Sequence, residues 1–455
     1  MIMGDTRPTP AEFADPHSRL MARLENRTAV VAIVGLGYIG LPLARALAGA
    51  GFRTLGFDID AEKVGKLNAG RSYLSHIGDE TVGEMLRAGF TATADIADLS
   101  ACDAILICVP TPLGRNREPD LSFVKSTVLS LVPVLRAGQL VVLESTTYPG
   151  TTAEIVAPIL ERSGLRFEEG LFVAYSPERE DPGNGDYETS TIPKIVGADG
   201  PNSAAAACAL YGAVTSRVVP VADSRTAEAV KLTENIFRAV NIALVNELKL
   251  VFGAMDIDVW DVINAASTKP FGYMPFYPGP GLGGHCIPID PFYLTWKARE
   301  FDAPVRFIEL AGEINTAMPW LVVDACAAAL SDRFAKGLRG ARILIVGIAY
   351  KRDVEDTRES PALKIMELLV QRRSEVSYHD PFVPTIGPTR QHASLVGMRS
   401  VGLDAETVGG FDLVLIVTDH SSIDWSALVA NARLVVDTRN ATKSVTGHRD
   451  RIVKA

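Results

Sequence analysis

One stretch of the chain combines a thiol with a high density of glycine and proline. Residues 278–290 read PGPGLGGHCIPID, so that Cys286 follows four glycines and lies among three prolines. Glycine and proline both disfavour helix and strand, and the stretch is therefore predicted to be a shaped loop. Glycines before a cysteine can let a substrate and free backbone N–H groups approach the sulfur, as a nucleophile requires. A tight turn with an incidental cysteine fits the local sequence equally well.

A second pair of residues with possible chemistry lies on a predicted long helix. The segment 226–255 contains a single glycine and no proline, and its apolar residues recur at helical spacing. Lys231 and Asn235 are four residues apart and share one face of this helix. Both could be solvated, or they could form a donor pair that holds an oxyanion near Cys286. A helix of about 30 residues is about 45 Å long, suits a spine between two domains and offers a dimer surface.

The elements that would position these residues begin with a dinucleotide motif. Residues 29–34 form an apolar run typical of a buried parallel strand, and Gly35-Leu36-Gly37-Tyr38-Ile39-Gly40 follows before a helical pattern. In a GxGxxG turn the first glycine turns the chain, the second admits a pyrophosphate and the third lets the helix pack on the strand. The next predicted strand ends at Asp58, which can accept both ribose hydroxyls and would repel a 2′-phosphate. The sequence therefore predicts NAD and not NADP.

Further apolar strands of the first half end in polar residues. Thr111, Glu144, Ser145 and Thr146 follow such strands, and Glu178 follows another. The carboxyl ends of strands in an open parallel sheet face the ligand, so we expect these side chains on the cofactor side. Glu178 is a candidate acid or base, with an exposed loop carboxylate as the alternative.

The C-terminal part of the chain repeats the opening pattern in altered form. The apolar run 342–346 precedes Gly347, but the turn then reads Ile-Ala-Tyr-Lys351 and lacks the second glycine of the motif. Without that glycine a pyrophosphate cannot approach the backbone closely, and the lysine supplies positive charge instead. This favours binding of a nucleotide phosphate over binding of a second dinucleotide. Arg439, at the end of a later apolar strand, is a second phosphate candidate, with a surface arginine as the alternative. The fold class predicted is α/β, with two Rossmann-like doubly wound parallel-sheet domains joined by the long central helix.

Length and composition constrain the remaining possibilities. A chain of 455 residues implies roughly three domains. We place a mobile polar leader at 1–28, an NAD-binding domain at 29–222, a central helical domain at 223–325 and a second Rossmann-like domain, expected to bind a nucleotide, at 326–455. The leader lacks the apolar core of a signal peptide, and no apolar run reaches the 18 or so residues that span a bilayer. We therefore expect a cytoplasmic protein with no membrane partner.

Charge and cysteine content exclude two further classes. A formal net charge of -9 argues against a nucleic-acid partner. The five cysteines are scattered, with no CxxC and no zinc-site spacing, so we expect neither disulfides nor a metal.

Together these motifs resemble the nucleotide-sugar 6-dehydrogenases of the UDP-glucose dehydrogenase superfamily. In the family's order the chain contains GLGYIGLP, CVPTPL, ESTTYPGTT, YSPERED, Lys231 through Glu247, GPGLGGHCIPIDPFYL and GIAYKRDVEDTRESP. The segments at 117–120, 176–183, 191–197 and 269–281 look most like UDP-N-acetyl-D-glucosamine 6-dehydrogenases of bacterial O-antigen and capsule polysaccharide biosynthesis. They look less like the UDP-glucose enzymes.

The resemblance implies a four-electron oxidation of a sugar C6 through a Cys286 thiohemiacetal and thioester, with NAD as acceptor. It implies that Lys231 and Asn235 stabilise the C6 oxyanion, that Asp290 handles protons beside the thiol and that Glu178 serves proton transfer with water. His285 is expected to be a loop residue, because adjacent side chains usually point apart.

The resemblance also supplies binding residues. The cofactor set is Gly35, Gly37, Tyr38, Ile39, Gly40, Asp58, Lys63, Thr111, Ser145, Thr146 and Arg358. The substrate set is Glu178, Lys231, Asn235, Phe276, Tyr277, Gly279, Gly281, Gly283, Lys351 and Arg439.

Several alternatives stay open at this point. UDP-glucose, UDP-GalNAc or UDP-ManNAc could replace UDP-GlcNAc as the substrate. The protein could be a two-electron dehydrogenase in which Cys286 only shapes the loop, or a non-catalytic NAD- and nucleotide-binding sensor. We expect a homodimer or a higher homo-oligomer.

Overall fold

The computed structural model describes residues 15–74, 77–114, 117–179, 190–284, 287–389 and 391–455. The chain divides into two compact units, Met1–Thr233 and Glu234–Ala455. Each unit contains a sheet flanked by helices, which confirms the predicted α/β class with two doubly wound sheets.

The first unit is built on an eight-stranded sheet. Its strands are β1 (Val30–Val34), β2 (Arg53–Phe57), β3 (Phe90–Thr93), β4 (Ala104–Ile107), β5 (Gln139–Leu143), β6 (Leu171–Tyr175), β7 (Lys194–Ala198) and β8 (Val218–Pro220). The order β3-β2-β1-β4-β5-β6-β7-β8 begins as the 3-2-1-4-5-6 arrangement of dinucleotide-binding sheets. All neighbours are parallel except β6 and β7, which are antiparallel. The first residues of β7 therefore lie at the edge of the sheet where β5 and β6 end.

Helices cover both faces of this sheet. They are α1 (Pro16–Glu25), α2 (Gly40–Gly49), α3 (Ala61–Asn68), α4 (Asp79–Arg87), α5 (Ser122–Leu131), α6 (Ala157–Leu160) and α7 (Pro201–Tyr211). The long helix predicted over 226–255 is α8 (Ser224–Gly253), and the boundary between the two units falls within it.

The expectation of a mobile leader was wrong for residues 15–28. Pro16 starts α1, and the side chain of Asp15 accepts hydrogen bonds from the backbone N–H groups of His17 and Ser18. Leu20 and Leu24 lie one turn apart and are buried in the core of the first unit. This short amphipathic pattern, with its cap, was the signal missed in an otherwise polar segment.

The second unit contains a five-stranded parallel sheet. Its strands are β9 (Arg342–Val346), β10 (Glu375–His379), β11 (Leu413–Ile416), β12 (Val435–Asp437) and β13 (Ile452–Lys454). Its helices are α9 (Val259–Ala266), α10 (Asp290–Ala298), α11 (Arg306–Phe334), α12 (Pro361–Gln371), α13 (Ala405–Gly409) and α14 (Trp425–Asn431). The order β10-β9-β11-β12-β13 is the 2-1-3-4-5 arrangement, whose ligands bind beyond the carboxyl ends of the strands.

Helix α11 is long and apolar enough, by length and composition alone, to cross a membrane. Its buried residues Val322, Val323 and Cys326 belong to the core of the second unit. Packing in that core accounts for part of its apolar composition, and Phe307, Leu310 and Trp320 of the same helix are exposed.

The glycines before Cys286 pack against the chain that follows β9. A Cβ atom on Gly283 would lie 2.6 Å from the Cβ of Tyr350 and 3.1 Å from Pro361. Gly284 has a φ of +81° and donates its N–H to the carbonyl of Arg358 over 3.0 Å. The glycines at 283 and 284 are therefore needed for contact between two loops of the protein. The sequence predicts that these glycines let a substrate approach the thiol. The structure shows that they also let the loop pack against Tyr350 and Arg358.

A buried carboxylate on α8 holds the loop that follows β5. Glu228 accepts hydrogen bonds from the backbone N–H groups of Gly150 and Thr152, over 2.6 Å and 2.8 Å, and from the Thr152 hydroxyl. Burial raises the pKa of Glu228 to about 7, against the three hydrogen bonds that favour its charged form. The first unit therefore keeps a proton on this side chain at pH values where an unfolded chain has lost it.

We expect Gly283→Ala to destabilise the protein, because the added methyl group would lie 2.6 Å from the Cβ atom of Tyr350. A Cβ atom is fixed by the backbone and cannot move away as the end of a flexible side chain can. An overpacked contact of this kind costs about 1–3 kcal/mol and should lower the thermal midpoint. Gly65→Ala is the control, since that glycine lies within α3 with no described atom within 4 Å of the new Cβ. An equal thermal midpoint for Gly283→Ala and the wild type would contradict the described packing.

We expect Glu228→Gln to change the pH dependence of stability. A folded pKa of about 7 and an ordinary value of 4.5 mean that the stability contributed by the protonated form is lost as pH rises through 7. The free energy of unfolding of the variant relative to the wild type, measured by urea denaturation at each pH, should therefore increase between pH 5 and pH 8 by up to about 3 kcal/mol. Glu247→Gln, at an exposed position of the same helix, should show no such trend. A difference between variant and wild type that is constant with pH would refute the assignment.

Candidate functional site

The turn between β1 and α2 has the geometry of a pyrophosphate loop. Gly35 has a φ of +97°, and a Cβ there would lie 2.7 Å from the carbonyl oxygen of Cys108. A Cβ on Gly40 would overlap the carbonyl of Gly35, so this glycine lets the helix approach the strand. At Gly37 no described atom lies within 4 Å of the Cβ position, which leaves the backbone open to a ligand. The geometry at the three glycines is consistent with a GxGxxG turn, and the contact of Gly37 with a pyrophosphate stays a prediction.

Asp58 lies beside this turn at the end of β2. It is buried, and its Oδ2 accepts the backbone N–H of Leu36 over 3.0 Å. The Lys63 ammonium lies 3.7 Å from the same oxygen. The acid predicted to bind a ribose is therefore fixed next to the glycine turn. Tyr38 and Ile39, also predicted for the cofactor, belong to the same turn and immediately precede α2.

The residues after β4 and β5 differ in what they can offer a cofactor. The Ser145 hydroxyl donates to the carbonyl of Val109 over 2.7 Å, so this side chain ties two strand ends together. Thr111 is buried and Thr146 is half-buried in the same region. Glu144 was expected to face the cofactor, but its carboxylate is fully buried and bonded to Lys194 and Tyr211. Thr147 has a buried hydroxyl with no hydrogen-bond partner among the described residues.

Glu178 is not the exposed loop carboxylate of our alternative reading. It is buried, and its Oε2 lies 3.4 Å from the Lys194 ammonium. Lys231 is also buried, and its ammonium donates to the backbone carbonyl of Glu178 over 2.5 Å. Two of the predicted site residues of the first unit are thus in contact. Lys194 was missed as a site residue, because its position depends on the antiparallel pairing of β7.

Asn235 and Asp290 form a buried pair in the second unit. The Asn235 side chain donates to Asp290 Oδ2 over 2.5 Å, and Arg238 donates to Asn235 Oδ1. Asp290 starts α10. Lys231 and Asn235 are both buried, so the alternative of a solvated pair is excluded. An ammonium has three N–H donors and a carboxamide two, so each side chain has more donors than the bond described for it uses.

Cys286 and His285 lie outside the described residues. The chain on either side is fixed, with Gly284 buried before them and Asp290 buried after them. The position of the sulfur, on which the predicted chemistry depends, therefore stays a prediction.

The phosphate candidates of the second unit lie at the carboxyl ends of its strands. Arg439 donates through Nε to the carbonyl of Val417 over 3.0 Å, and a Cβ on Gly279 would lie 2.7 Å from its Nη1. Burial and the nearby Arg352 lower the pKa of Arg439 to about 10. Lys351 is half-buried in the turn after β9. Arg358, predicted for the cofactor, makes a bidentate ion pair with Asp356.

A further cation, missed in the sequence, lies on α8. Burial and Arg439 lower the pKa of Lys249 to about 8, which indicates that two half-buried cations are neighbours. Lys249 lines a cavity of about 490 Å³ together with Trp260, Leu321 and Lys454. The indole of Trp260 stacks on the ring of Tyr277 with centroids 5.2 Å apart. Asp256 and Asp258 line the same cavity, and the Lys454 ammonium is paired with Asp258, so the cavity contains charges of both signs.

The loop over the second unit positions the remaining substrate candidates. Gly279 donates its N–H to Asn246 Oδ1 over 3.0 Å, and Gly281 has a φ of +136° against Pro319 and Pro361. Phe276 packs edge-on against Phe237, with ring centroids 5.7 Å apart.

The acid that corresponds to Asp58 in the second sheet is blocked. Asp380 follows β10, and its Oδ2 accepts the N–H groups of Ile348 and Ala349, as Asp58 accepts that of Leu36. The same oxygen lies 3.0 Å from Nε2 of the fully buried His420. His420 and the two amides hold the pKa of Asp380 below its usual value despite burial. A ribose cannot displace such a partner at low cost, which agrees with the prediction that this half does not bind a second dinucleotide.

No group of three or more His, Cys, Asp or Glu side chains is placed to hold a metal ion within the described part of the chain.

Comparison with known proteins agrees with this architecture. Three models of the UDP-glucose/GDP-mannose dehydrogenase family match: the NAD binding domain at residues 29–215, the central domain at 225–317 and the UDP binding domain at 344–444. They match in this order and cover most of the chain.

Individual relatives extend over nearly the whole length. UDP-N-acetyl-D-glucosamine 6-dehydrogenase of Pseudomonas aeruginosa is 35% identical over 393 residues, which are 86% of this chain and 90% of the relative. NDP-N-acetyl-D-galactosaminuronic acid dehydrogenase of Ralstonia nicotianae is 35% identical over 422 residues, 90% of this chain and 95% of the relative. The solved structure of UDP-D-ManNAc dehydrogenase from Pyrococcus horikoshii has a TM-score of 0.84 at 33% identity and covers 93% of this chain and 98% of its own.

The glycine turn and Asp58 fit NAD, and the non-catalytic sensor of our alternatives is set aside. The chain belongs to the UDP-glucose/GDP-mannose dehydrogenase family, as an NAD-dependent oxidoreductase that oxidises C6 of a UDP-sugar.

Proposed function

We propose that the enzyme oxidises the C6 hydroxymethyl group of UDP-N-acetyl-D-glucosamine to the carboxylate, with the intermediate aldehyde held on Cys286. The observation that supports this most directly is the hydrogen bond between Asn235 and Asp290. It joins the helix that carries Lys231 to the residue four positions after Cys286. The polar residues that the chemistry needs therefore lie on elements connected to the thiol loop.

The proposed reaction has two oxidations and one hydrolysis. In the first oxidation the C6 alcohol loses a hydride and its hydroxyl proton and becomes an aldehyde. An aldehyde has no readily transferred hydride until a nucleophile makes it tetrahedral, so the thiol adds and an S–C bond forms. The thiohemiacetal then loses a second hydride and its hydroxyl proton and becomes a thioester. Water breaks the S–C bond, which yields the carboxylate and the free thiol.

Bound NAD+ supplies the hydride acceptor at each oxidation, and two NAD+ are reduced per sugar. Gly35, Gly37, Gly40 and Asp58 would hold it, since the turn is open at Gly37 and the acid lies beside it. Lys63, Thr111, Ser145, Thr146 and Arg358 stay proposed contacts.

The side chains of this protein have distinct roles in the proposal. Lys231 and Asn235 donate hydrogen bonds to the oxygen on C6, which carries negative charge in each tetrahedral state. Asp290 takes or returns the thiol proton. Glu178 exchanges a proton with the hydrolytic water. The burial of all four side chains strengthens these interactions, because charges interact more strongly away from water.

The substrate's nucleotide would bind to the second unit. Lys351 and Arg439 supply positive charge for the diphosphate, and Phe276, Tyr277, Gly279, Gly281 and Gly283 form the loop that covers it. The lowered pKa of Arg439 supports this assignment, since a half-buried cation beside another cation is stabilised by an anion.

The choice of an acetamido sugar rests on the relatives. The three relatives above are named for N-acetylglucosamine, N-acetylmannosamine and N-acetylgalactosaminuronic acid substrates or products, which share an acetamido group. The segments at 117–120, 191–197 and 269–281 favour the glucosamine enzyme among them. UDP-ManNAc, UDP-GalNAc and UDP-glucose stay as alternatives, and a two-electron reaction stays as the alternative mechanism.

Self-association, location and pathway belong to the same proposal. Phe237, Leu244 and Val251 are exposed on α8 at intervals of seven residues and so form one stripe on the helix. An apolar stripe of this kind supports a homodimer formed by this helix.

We propose a cytoplasmic enzyme of bacterial polysaccharide biosynthesis.

The covalent mechanism predicts that Cys286→Ser loses formation of the uronic acid by at least about a thousandfold, the scale seen when a nucleophile is removed. The measurement is NADH and uronic acid formed per UDP-sugar, with two NADH expected for the wild type. Cys208→Ser is the control, because Cys208 is half-buried in α7 and has no proposed role. Undiminished uronic acid from Cys286→Ser, or one NADH per sugar in the wild type, would exclude the thioester route.

The substrate assignment predicts the highest kcat/KM for UDP-GlcNAc among UDP-GlcNAc, UDP-GalNAc, UDP-ManNAc and UDP-glucose. A site that hydrogen-bonds the acetamido group should discriminate against UDP-glucose by at least about 100-fold. A preference for UDP-ManNAc or UDP-GalNAc would keep the acetamido class and correct the sugar. A preference for UDP-glucose would overturn the proposal.

A further inference from the structure

Glu178 belongs to a buried charge cluster, which we define as Lys194, Glu144, Glu178 and Tyr211. The Lys194 ammonium lies 2.6 Å from Glu144 Oε2 and 3.4 Å from Glu178 Oε2. The Tyr211 hydroxyl donates to the other oxygen of Glu144. The side chains of Lys194, Glu144 and Glu178 are 7%, 0% and 9% exposed, so water contributes little to stabilising their charges.

The direction of β7 creates this cluster. The antiparallel register pairs Tyr175 with Gly197, and its continuation puts position 178 opposite Lys194. In a parallel strand the first residue would lie at the opposite edge of the sheet. The reversed strand therefore delivers a cation to the edge where Glu144 and Glu178 follow β5 and β6.

One cation serves two carboxylates in this cluster. Burial alone would lower the pKa of Lys194, but Glu144 and Glu178 raise it above its usual value, so the lysine stays charged. Burial raises the pKa of Glu144, and Lys194 opposes that effect. The shorter distance gives Glu144 the larger part of the interaction with Lys194.

We propose that Lys194 is a positioning residue for Glu178, and that Glu144 with Tyr211 determines how much of the lysine's charge acts on Glu178. The inference rests on the proposed function, in which Glu178 exchanges protons with water. Lys194 orients the carboxylate and keeps it charged. Glu144 competes for the same ammonium, and Tyr211 holds Glu144 in place.

Other groups face the cluster from the elements around it. Cys108, after β4, interacts with Glu144, Lys194 and Glu178, and burial raises its pKa so that it stays a neutral thiol. Lys231 on α8 binds the backbone carbonyl of Glu178, and the backbone N–H of Arg179 donates to Glu178 Oε1 over 2.6 Å. The first contact fixes the main chain at Glu178 and the second holds its Oε1, while Oε2 faces Lys194.

The test is the pH dependence of kcat/KM for variants of the full-length enzyme. Lys194→Met leaves two buried carboxylates without their cation, so the acid limb should move to higher pH by about one to three units. Glu144→Gln removes the competitor but can still accept a hydrogen bond from Lys194, so the limb should move to lower pH. Lys194→Arg keeps the charge and should restore a profile close to the wild type.

A merely structural role gives a different result. Glu168→Gln is the matched control, because Glu168 accepts N–H groups of Asn202 and Ser203 at the start of α7 and lies outside the cluster. If Lys194 only supports folding, its variants will resemble this control, with lower rates and an unmoved acid limb, and the inference is refuted. If Lys194→Met does not fold, a shift of the acid limb to lower pH in Glu144→Gln, beside an unmoved limb in Lys194→Arg, still supports the inference, and an unmoved limb in Glu144→Gln refutes it.

A second measurement separates this inference from the proposed function. Infrared titration, with the carboxylate band assigned by difference against Glu178→Gln, reads the ionisation of Glu178 without turnover. Full activity of Glu178→Gln would refute the proposed role of Glu178 but leave this titration valid. An infrared midpoint that is the same in Lys194→Met and the wild type would refute the role of Lys194, whatever the activity of Glu178→Gln.

Discussion

Four buried polar side chains along α8 hydrogen-bond to loops that carry proposed site residues. Within the first unit, Glu228 holds the loop after β5 and Lys231 holds the carbonyl of Glu178. Within the second unit, Asn235 holds Asp290 and Asn246 holds the N–H of Gly279. Unsatisfied polar groups are costly in a protein interior. Each hydrogen bond therefore satisfies a buried side chain of the helix and, at the same time, fixes the position of the loop. In each unit, loops that carry proposed site residues are thus tied to the part of α8 that belongs to that unit.

The two halves show how one fold gives two different nucleotide sites. Both have an acid after the second strand of the sheet, and both use it to accept N–H groups of the turn after the first strand. In the first half the second glycine leaves the turn open and Asp58 lies beside it. In the second half the imidazole of His420 lies against Asp380, the acid that corresponds to Asp58. The turn after β9 lacks the second glycine and carries the positive charge of Lys351 instead. The change from dinucleotide to nucleotide-sugar recognition therefore needs a few side chains and no change of architecture.

The sequence was sufficient where function depends on local geometry. The glycine turn and Asp58 lie within one short β1-α2-β2 segment, and the helix containing Lys231 and Asn235 follows from its periodicity. It was insufficient where distant strands meet. The partnership of Lys194 with Glu144 needs the reversal of β7, and Lys249 becomes notable only through Arg439, about 190 residues away in the chain. The cap and two leucines of α1 were too short a pattern to outweigh a polar composition.

Loop contact in the second unit bears on how binding energy could reach the reaction. Gly283 and Gly284 lie against Tyr350 and Arg358, in the segment that also carries Lys351. An anion that fixes the segment 350–358 would also hold Gly283 and Gly284 in their contacts with it. Under the proposed function, substrate fragments without the diphosphate would then lose turnover as well as affinity, because energy gained far from C6 would help to hold the end of the loop that precedes the proposed nucleophile.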